Sequence, residues 1–181
     1  MPLLPENLNT QRLRLRKPRT SDAEVIFATY AQDPDVAKYL IWRPHTDVVQ
    51  TREFIDGCIS SWNSEVRHPY VLTHQEQDRP IGMLDARLHE HIVDIGYVLA
   101  KAEWGHGLMP EAIGTLVGEV FSRQGIYRVQ ATCDEDNVAS QRTLEKSGFA
   151  REGRLAAYTV HPNISPLPRA CYIYARCRSA A

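Results

Sequence analysis

Short stretches of the chain alternate apolar and polar residues with a period of two, and longer ones repeat apolar residues at helical spacing. Arg12-Leu13-Arg14-Leu15-Arg16 alternates as a strand. Thr20-Ser21-Asp22-Ala23-Glu24 opens a helix with capping chemistry and carries Val25, Ile26 and Tyr30 as apolar positions. A second helix is expected over 48–65, burying Phe54, Ile55, Ile59 and Trp62. Three strands follow at 70–74, 80–88 and 92–99, joined by polar turns such as Glu76-Gln77-Asp78-Arg79. The third is β-branched and apolar, and beyond it a Gly105-His106-Gly107 turn runs directly into an amphipathic helix. A strand over 127–133, a helix beginning after Asn137 and stopping at Gly148, and a last strand over 170–176 complete the chain. The predicted order is β, α, α, three β, α, β, α, β.

Composition bounds what such a chain does. At 181 residues, with 43% hydrophobic and 24% charged residues, it is one ordinary domain with a sizeable core, taken as 1–181. A net charge of −1 argues against a nucleic-acid coat, which needs a dense basic surface. The arginine-rich run from Arg12 to Arg19 reads as the solvated face of an edge strand. No apolar run is long enough to span a membrane, and Met1-Pro2-Leu3-Leu4-Pro5 is too short and uncharged for a signal peptide, so the expectation is a cytoplasmic protein. Cys58, Cys133, Cys171 and Cys177 lack CxxC spacing, which favours reduced thiols over zinc or disulfides. His89 and His91 flank Glu90, but a third ligand would have to come from elsewhere, so no metal is expected.

The turn at Gly105-His106-Gly107 has distinct chemistry. A strand that ends in a glycine turn and leads into a helix points free backbone N–H groups and the positive end of a helix dipole at one small volume, which suits a phosphate or pyrophosphate. Pro110 sits in the helix's first turn, where its missing N–H costs little. One strand later comes Asn137-Val138-Ala139-Ser140-Gln141-Arg142-Thr143-Leu144-Glu145-Lys146-Ser147-Gly148-Phe149. Read alone, Asn137 is a helix cap and Gly148 a helix stop.

Together, the strand, the GxG turn and the NxxSxRxLEKxGF segment resemble the two acetyl-CoA segments of the GCN5-related N-acetyltransferases (GNAT), and most closely the ribosomal-protein-alanine N-acetyltransferase (RimJ/RimL)-like branch. Gly105 and Gly107 match the small positions of the [QR]xxGx[GA] turn, while Ala102 stands where the family often has Gln or Arg. The resemblance covers nearly the whole chain. It implies an α/β fold: a single domain whose mixed, mostly antiparallel sheet of about six to seven strands is flanked by about four helices and splayed at the acetyl-CoA site. Typical of the family is a bulge in the strand before the turn, which frees a backbone N–H for the oxyanion.

The resemblance also assigns roles. Cofactor contacts are expected from Val98, Leu99, Trp104, Gly105, His106, Gly107, Leu108, Met109, Asn137, Ser140 and Arg142. Asn137 would bond the pantetheine arm, cap its helix, or do both. Ser140 would donate to the departing thiolate, or fill a tight helix packing point. Arg142 would reach phosphate, although a salt bridge to a nearby carboxylate is favoured. Relatives often carry a tyrosine acid one turn beyond the serine; Leu144 stands there, so that route cannot operate.

The reaction the resemblance implies transfers an acetyl group from acetyl-CoA, a co-substrate, to a primary amine. The amine must first be neutral, which is easier for an α-amino group near pKa 8 than for a lysine near 10.4. Asp94 and Tyr97 lie where the family places groups that manage the amine proton, but strand alternation puts them on opposite faces. A thiolate leaves with modest help, and Ser140 is the first choice of donor, Cys133 the second. Trp42-Arg43-Pro44-His45 and residues 158–169 would flank the acceptor; Trp42 reads equally as a packing anchor. Ala170, beside Arg169, stands where relatives frequently have Asp. Three functions stand: acetylation of a protein N-terminal amine, acetylation of a small amine such as an amino acid, polyamine or toxin, and a non-catalytic acyl-CoA-binding module. The final strand could serve as an edge for pairing with a second copy, or lie inside the sheet.

Overall fold

A computed structural model describes residues 4–64 and 66–178. Its strands are β1 (Asn7–Asn9), β2 (Leu13–Arg16), β3 (Arg67–His74), β4 (Gln77–His89), β5 (Ile92–Leu99), β6 (Arg128–Asp134), β7 (Ala150–Thr159) and β8 (Arg169–Cys177). They form one eight-stranded sheet in the order β1-β2-β3-β4-β5-β6-β8-β7. Its helices are α1 (Asp22–Ile26), which continues into a π-helical turn Phe27–Ala31, α2 (Pro34–Ala37), α3 (Val48–Ser61), α4 (Leu108–Ser122) and α5 (Val138–Lys146). No helix of the described residues is long and apolar enough to cross a membrane.

Alternation along the strands sends side chains to two separate cores. Leu13, Leu15, Tyr70, Leu72, Leu84, Ala86, Val93 and Ile95 meet α4 on one face, where Ile113, Leu116 and Val117 are fully buried. Val71 and Met83 point the other way and pack with Ile26, Tyr30, Ile55 and Cys58 of the α1–α3 layer. Local chemistry starts these helices where they begin. α3 opens with a capping box between Asp47 and Gln50, and α2 with the Asp33 carboxylate on the Asp35 and Val36 N–H groups and proline at its first position.

Several expectations need correction. The sheet gains β1 and β7, both missed: β1 is three residues long, and β7 lies at the sheet edge with mostly exposed positions, so neither shows an apolar face. The segment expected as a loop over 158–169 is the end of β7, a loop at 160–168 and the start of β8. β8 is internal, between β6 and β7. α3 ends at Ser61, short of the expected 65, and Glu65 lies outside the described residues. Phe54 is 42% exposed rather than buried. Ser21 makes no side-chain cap on α1; Asp22, its first residue, instead accepts the N–H of Arg19 from the preceding turn at 2.7 Å.

The arginine-rich run is not a solvated edge either. β1 covers β2, and Arg16 is only 2% exposed, bonded twice to Asp22 at 2.7 and 2.8 Å and once to Asp78 at 2.6 Å. Burying a guanidinium is tolerable because its donors are paired in this way. The pair fixes the start of α1 against β2.

One junction of the sheet matters most. Every neighbouring pair is antiparallel except β5 and β6, which run parallel and pair only through Ile92, Val93 and Asp94 against Arg128, Val129 and Gln130. Beyond Asp94 the strands part. On its other side β5 keeps an unbroken one-to-one register with β4 from Ile92 to Leu99, so the opening involves no bulge in the β4–β5 ladder.

Candidate active site

The parting leaves backbone groups of β5 without a strand to bond. The Ala100 N–H donates to the Ile81 carbonyl at 2.8 Å, so even-numbered residues of β5 turn toward β4. The Tyr127 N–H donates to the His91 carbonyl at 3.0 Å, so odd-numbered residues turn toward β6. By that alternation the N–H and C=O of Tyr97 and the N–H of Leu99 face the gap. The Leu99 carbonyl is taken by the indole Nε1 of exposed Trp104 at 2.8 Å. Val98 turns its backbone to β4 and packs its side chain against the α1–α3 core, which leaves it no polar group for the gap. An extended chain carrying amides fits such an opening as an added strand would.

At the far end of β5 the turn supplies donors. Gly105 and Gly107 have φ of 80° and 72°, the left-handed region glycine enters without strain. The backbone N–H groups of residues 105–109 have no acceptor among the described residues, and helical bonding resumes with the Glu111 N–H on the Gly107 carbonyl at 3.3 Å. Leu108 and Met109 bury their side chains, so only their N–H groups are offered; the His106 side chain is exposed.

A bracket missed in the sequence holds this turn. Arg12 donates through Nε to Glu111 Oε2 at 2.7 Å and through Nη1 to the His106 carbonyl at 2.9 Å, and its Nη2 lies 2.6 Å from Glu111 Oε2. Glu111 also accepts the Arg12 N–H at 2.9 Å and the Thr10 hydroxyl. Burial alone raises the Glu111 carboxyl, but the Thr10 and Arg12 hydrogen bonds outweigh it and hold it below the usual range. Residues 99 positions apart make this bracket, and no local pattern announces it.

At the near end, Asn137 caps α5 by accepting the Ser140 N–H at 3.1 Å. Its Oδ1 acts structurally. Ser140 Oγ and the Tyr97 hydroxyl lie 2.7 Å apart. Burial pushes the Tyr97 phenol up, opposed by Ser140, so it carries its proton at neutral pH. Burial likewise pushes the Cys133 thiol up to about 11, again opposed by Ser140. Leu144, in the place of the family's tyrosine acid, is fully buried in the α4-side core.

Of the expected catalytic residues the structure brings Ser140 and Tyr97 together and sets Asp94 apart. Asp94 lies on the opposite face, accepting from Gln130 Nε2 at 2.9 Å and Arg87 Nη2 at 3.4 Å. Arg142 is exposed and has no ion-pair partner among the described residues, so the favoured salt bridge is absent.

The loops expected to flank the acceptor do meet. Asn163 Nδ2 donates to the Ala37 and Trp42 carbonyls, both at 2.7 Å, and the Tyr39 hydroxyl to the Asp136 carbonyl at 3.2 Å. Trp42 rests against His45, ring centroids 5.3 Å apart, while Arg43 is exposed. Behind them, fully buried Asp134 accepts Arg169 Nε at 2.6 Å and Nη2 at 3.1 Å, and Arg169 Nη2 also reaches Asp136 at 2.6 Å. Burial raises Asp134, but Arg169 outweighs it and holds the carboxyl low. This cluster ties the 160–168 loop to the turn that carries Asn137 and Ser140. Arg169 thus has a carboxylate partner from β6, while Ala170, where relatives frequently have Asp, lies within β8.

The model of the acetyltransferase (GNAT) domain matches residues 12–150. The chain belongs to this family. Among its relatives, the uncharacterized N-acetyltransferase p20 of Bacillus licheniformis is 32% identical, the alignment covering 84% of this chain and 87% of that protein. In fold, this acetyltransferase is similar to the microcin C7 self-immunity acetyltransferase MccE, solved with acetyl-CoA and AMP (TM-score 0.85, 22% identity, 97% of this chain and 98% of that one). It is similar as well to RimL, the ribosomal L7/L12 α-N-protein acetyltransferase, solved with coenzyme A (TM-score 0.84, 22% identity, 95% of this chain and 98% of that one). The GNAT acetyltransferase fold is thereby shown, with, among the described residues, an eight-stranded rather than a six- to seven-stranded sheet and five α-helices rather than about four. Of these two neighbours, one is named for microcin C7 self-immunity and the other for the α-N-acetylation of ribosomal L7/L12.

Proposed function

We propose that this GNAT domain transfers the acetyl group of acetyl-CoA to the α-amino group of a protein N-terminus. The observation that carries the donor half is the opening between β5 and β6, with unpaired N–H groups of residues 105–109 at one end and the Tyr97–Ser140 hydroxyl pair at the other. The turn would hold the pyrophosphate, exposed Arg142 would reach a phosphate, and the Tyr97 and Leu99 backbone would bond the pantetheine amides. Acetyl-CoA supplies the activated thioester. Ser140 donates a hydrogen bond to the departing thiolate, which leaves as the amine attacks the thioester carbonyl, and its oxygen is held in place by the protonated Tyr97 phenol.

The acceptor half rests on what surrounds the gap. On the face of β4 and β5 that carries Asp94, the carboxylates are occupied: Asp94 by Gln130 and Arg87, Asp85 by Arg67 at 3.0 Å. Such a site has weak means of deprotonating an amine. At pH 7 about a tenth of an α-amino group is neutral, against about one in 2,500 of a lysine side chain. An α-amine therefore suits the site without a strong base, with Asp94 or a water relayed from it taking the proton. The likeness to MccE supports a small amine as a second reading.

Thiol release with acetyl-CoA, measured over peptides of varied N-terminal residue and a panel of small amines, separates the two. The proposal expects kcat/KM for the best peptide to exceed that of any small amine by about tenfold or more. Higher values for a small amine would replace it with the second reading. Tight acetyl-CoA binding without transfer to any acceptor would instead leave a binding module.

A further inference from the structure

We infer that Arg12 is a positioning residue for the cofactor's phosphates, acting through the peptide bond between His106 and Gly107. The inference rests on the reading of the Gly105-His106-Gly107 turn as the pyrophosphate cradle. In a trans peptide the C=O of one residue and the N–H of the next point in opposite directions. Every described peptide bond is trans, and Arg12 Nη1 holds the His106 carbonyl at 2.9 Å. The Gly107 N–H must therefore point away from Arg12. It has no acceptor among the described residues, and neither do its neighbours in residues 105–109.

Without that hold the turn has little to fix it. Gly105 and Gly107 both sit in the left-handed region, where glycine interconverts with other conformations at low cost. No atoms lie within 4 Å of where a Cβ on Gly105 would stand, and only Arg12 Nη2, at 3.8 Å, approaches that position on Gly107. The peptide could flip and present a carbonyl to the phosphates. Arg12 prevents this because it is clamped from the other side: Nε and Nη2 are both on Glu111 Oε2, and Glu111 is held in turn by the Arg12 N–H and the Thr10 hydroxyl. The bracket also answers an electrostatic difficulty. Glu111 stands in the first turn of α4, and its negative charge, close to a bound pyrophosphate, is neutralised by the same guanidinium.

The guanidinium thus commits one donor of each nitrogen to Glu111 or the His106 carbonyl, and works on phosphate through the backbone. Direct contact and positioning predict different behaviour. Losing a direct ion pair removes a salt-sensitive attraction, whereas losing a positioning contact leaves the salt dependence of binding in place.

The test is calorimetric titration of the full chain with coenzyme A and with pantetheine, which lacks the pyrophosphate and nucleotide, at two salt concentrations. The wild-type chain is expected to bind coenzyme A far more tightly than pantetheine. No such preference would defeat the phosphate reading of the turn itself. Given the preference, Arg12→Ala is expected to weaken coenzyme A by about tenfold and to change pantetheine affinity less than about twofold, while Arg12→Ala/Glu111→Gln, which removes both charges together, is expected to leave the salt dependence unaltered. Unchanged coenzyme A affinity, or equal loss for both ligands, would overturn the inference while sparing the cradle. A flattened salt dependence in that charge-matched double variant would overturn it too, making Arg12 a direct phosphate ligand. Should Arg12→Ala fail to fold, Arg12→Lys is read by the same criteria: lysine keeps the charge but cannot span His106 and Glu111 together, so the same selective loss is expected at smaller size.

Discussion

Replacing Ser140 by alanine should separate the chemistry of this site from its stability. The hydroxyl lost is the one placed to donate to the leaving sulfur, and a hydrogen bond to developing charge amounts to about 1.5–3 kcal/mol. That corresponds to a fall in kcat of about tenfold to a hundredfold, with the KM for acetyl-CoA little changed. The same substitution strands the Tyr97 hydroxyl. Its partner at 2.7 Å disappears and only the Ser140 carbonyl, at 3.4 Å, remains within reach. An unsatisfied hydroxyl costs about 1–3 kcal/mol when fully buried and about 1 kcal/mol at a half-buried position such as Tyr97, and alanine returns about 0.5 kcal/mol of helix propensity. Thermal unfolding should therefore begin a degree or two lower, at about 2–4 °C per kcal/mol for a domain of this size. Adding Tyr97→Phe removes the stranded group, so the double variant should regain most of the stability and none of the activity. The assays are steady-state thiol release with the best acceptor found and a melting curve on each variant. An unchanged kcat in Ser140→Ala, or a recovered kcat in the double variant, would refute the assignment.

Other outcomes follow from the same geometry. Gly107→Ala has room for its methyl but not the backbone, since φ is 72°; it should lower stability by about 1–2 kcal/mol in a melting curve and raise the KM for acetyl-CoA. Arg142→Ala, at an exposed and unpaired side chain, should weaken coenzyme A by about threefold in a titration while leaving the melting temperature unmoved. Asp134 and Glu111 are both held below the usual carboxylate range, so each contributes stability above its unfolded value near 4 and loses it as pH falls through the lower folded value. Denaturant melts should show stability declining below about pH 4, and Asp134→Asn should show a shallower decline together with a loss at pH 7 of up to about 3 kcal/mol.

The elements that were legible in the sequence are those whose signal is local. α4 and α5 carry helical periodicity with a turn or cap at the start, and β3 to β6 carry apolar runs bounded by polar turns. β7 was not legible because, lying at the sheet's edge, it buries little and its composition matches a loop. The two halves of the cleft were legible as motifs because each is one continuous segment, Gly105 to Met109 and Asn137 to Ser140. What joins them was not. The Tyr97–Ser140 pair depends on β5 and β6 parting after Asp94, a property of the sheet rather than of either strand. The bracket of Arg12 on Glu111 and the clamp of Arg169 on Asp134 join residues 99 and 35 positions apart, and charged side chains in a sequence do not disclose their partners. Reading Arg12 to Arg19 as one solvated face failed for that reason: Arg16 is buried against α1 and Arg12 braces the turn.

The central claim is that the opening between β5 and β6 is an acetyl-CoA cleft running from the turn to Ser140. A crystal structure of the chain with coenzyme A tests it most directly. The account predicts pyrophosphate oxygens within hydrogen-bond distance of the N–H groups of residues 105–109, the pantetheine arm bonded to the Tyr97 and Leu99 backbone, and the sulfur beside Ser140 Oγ. Coenzyme A bound elsewhere, or bound in the gap with its sulfur remote from Ser140, would contradict it.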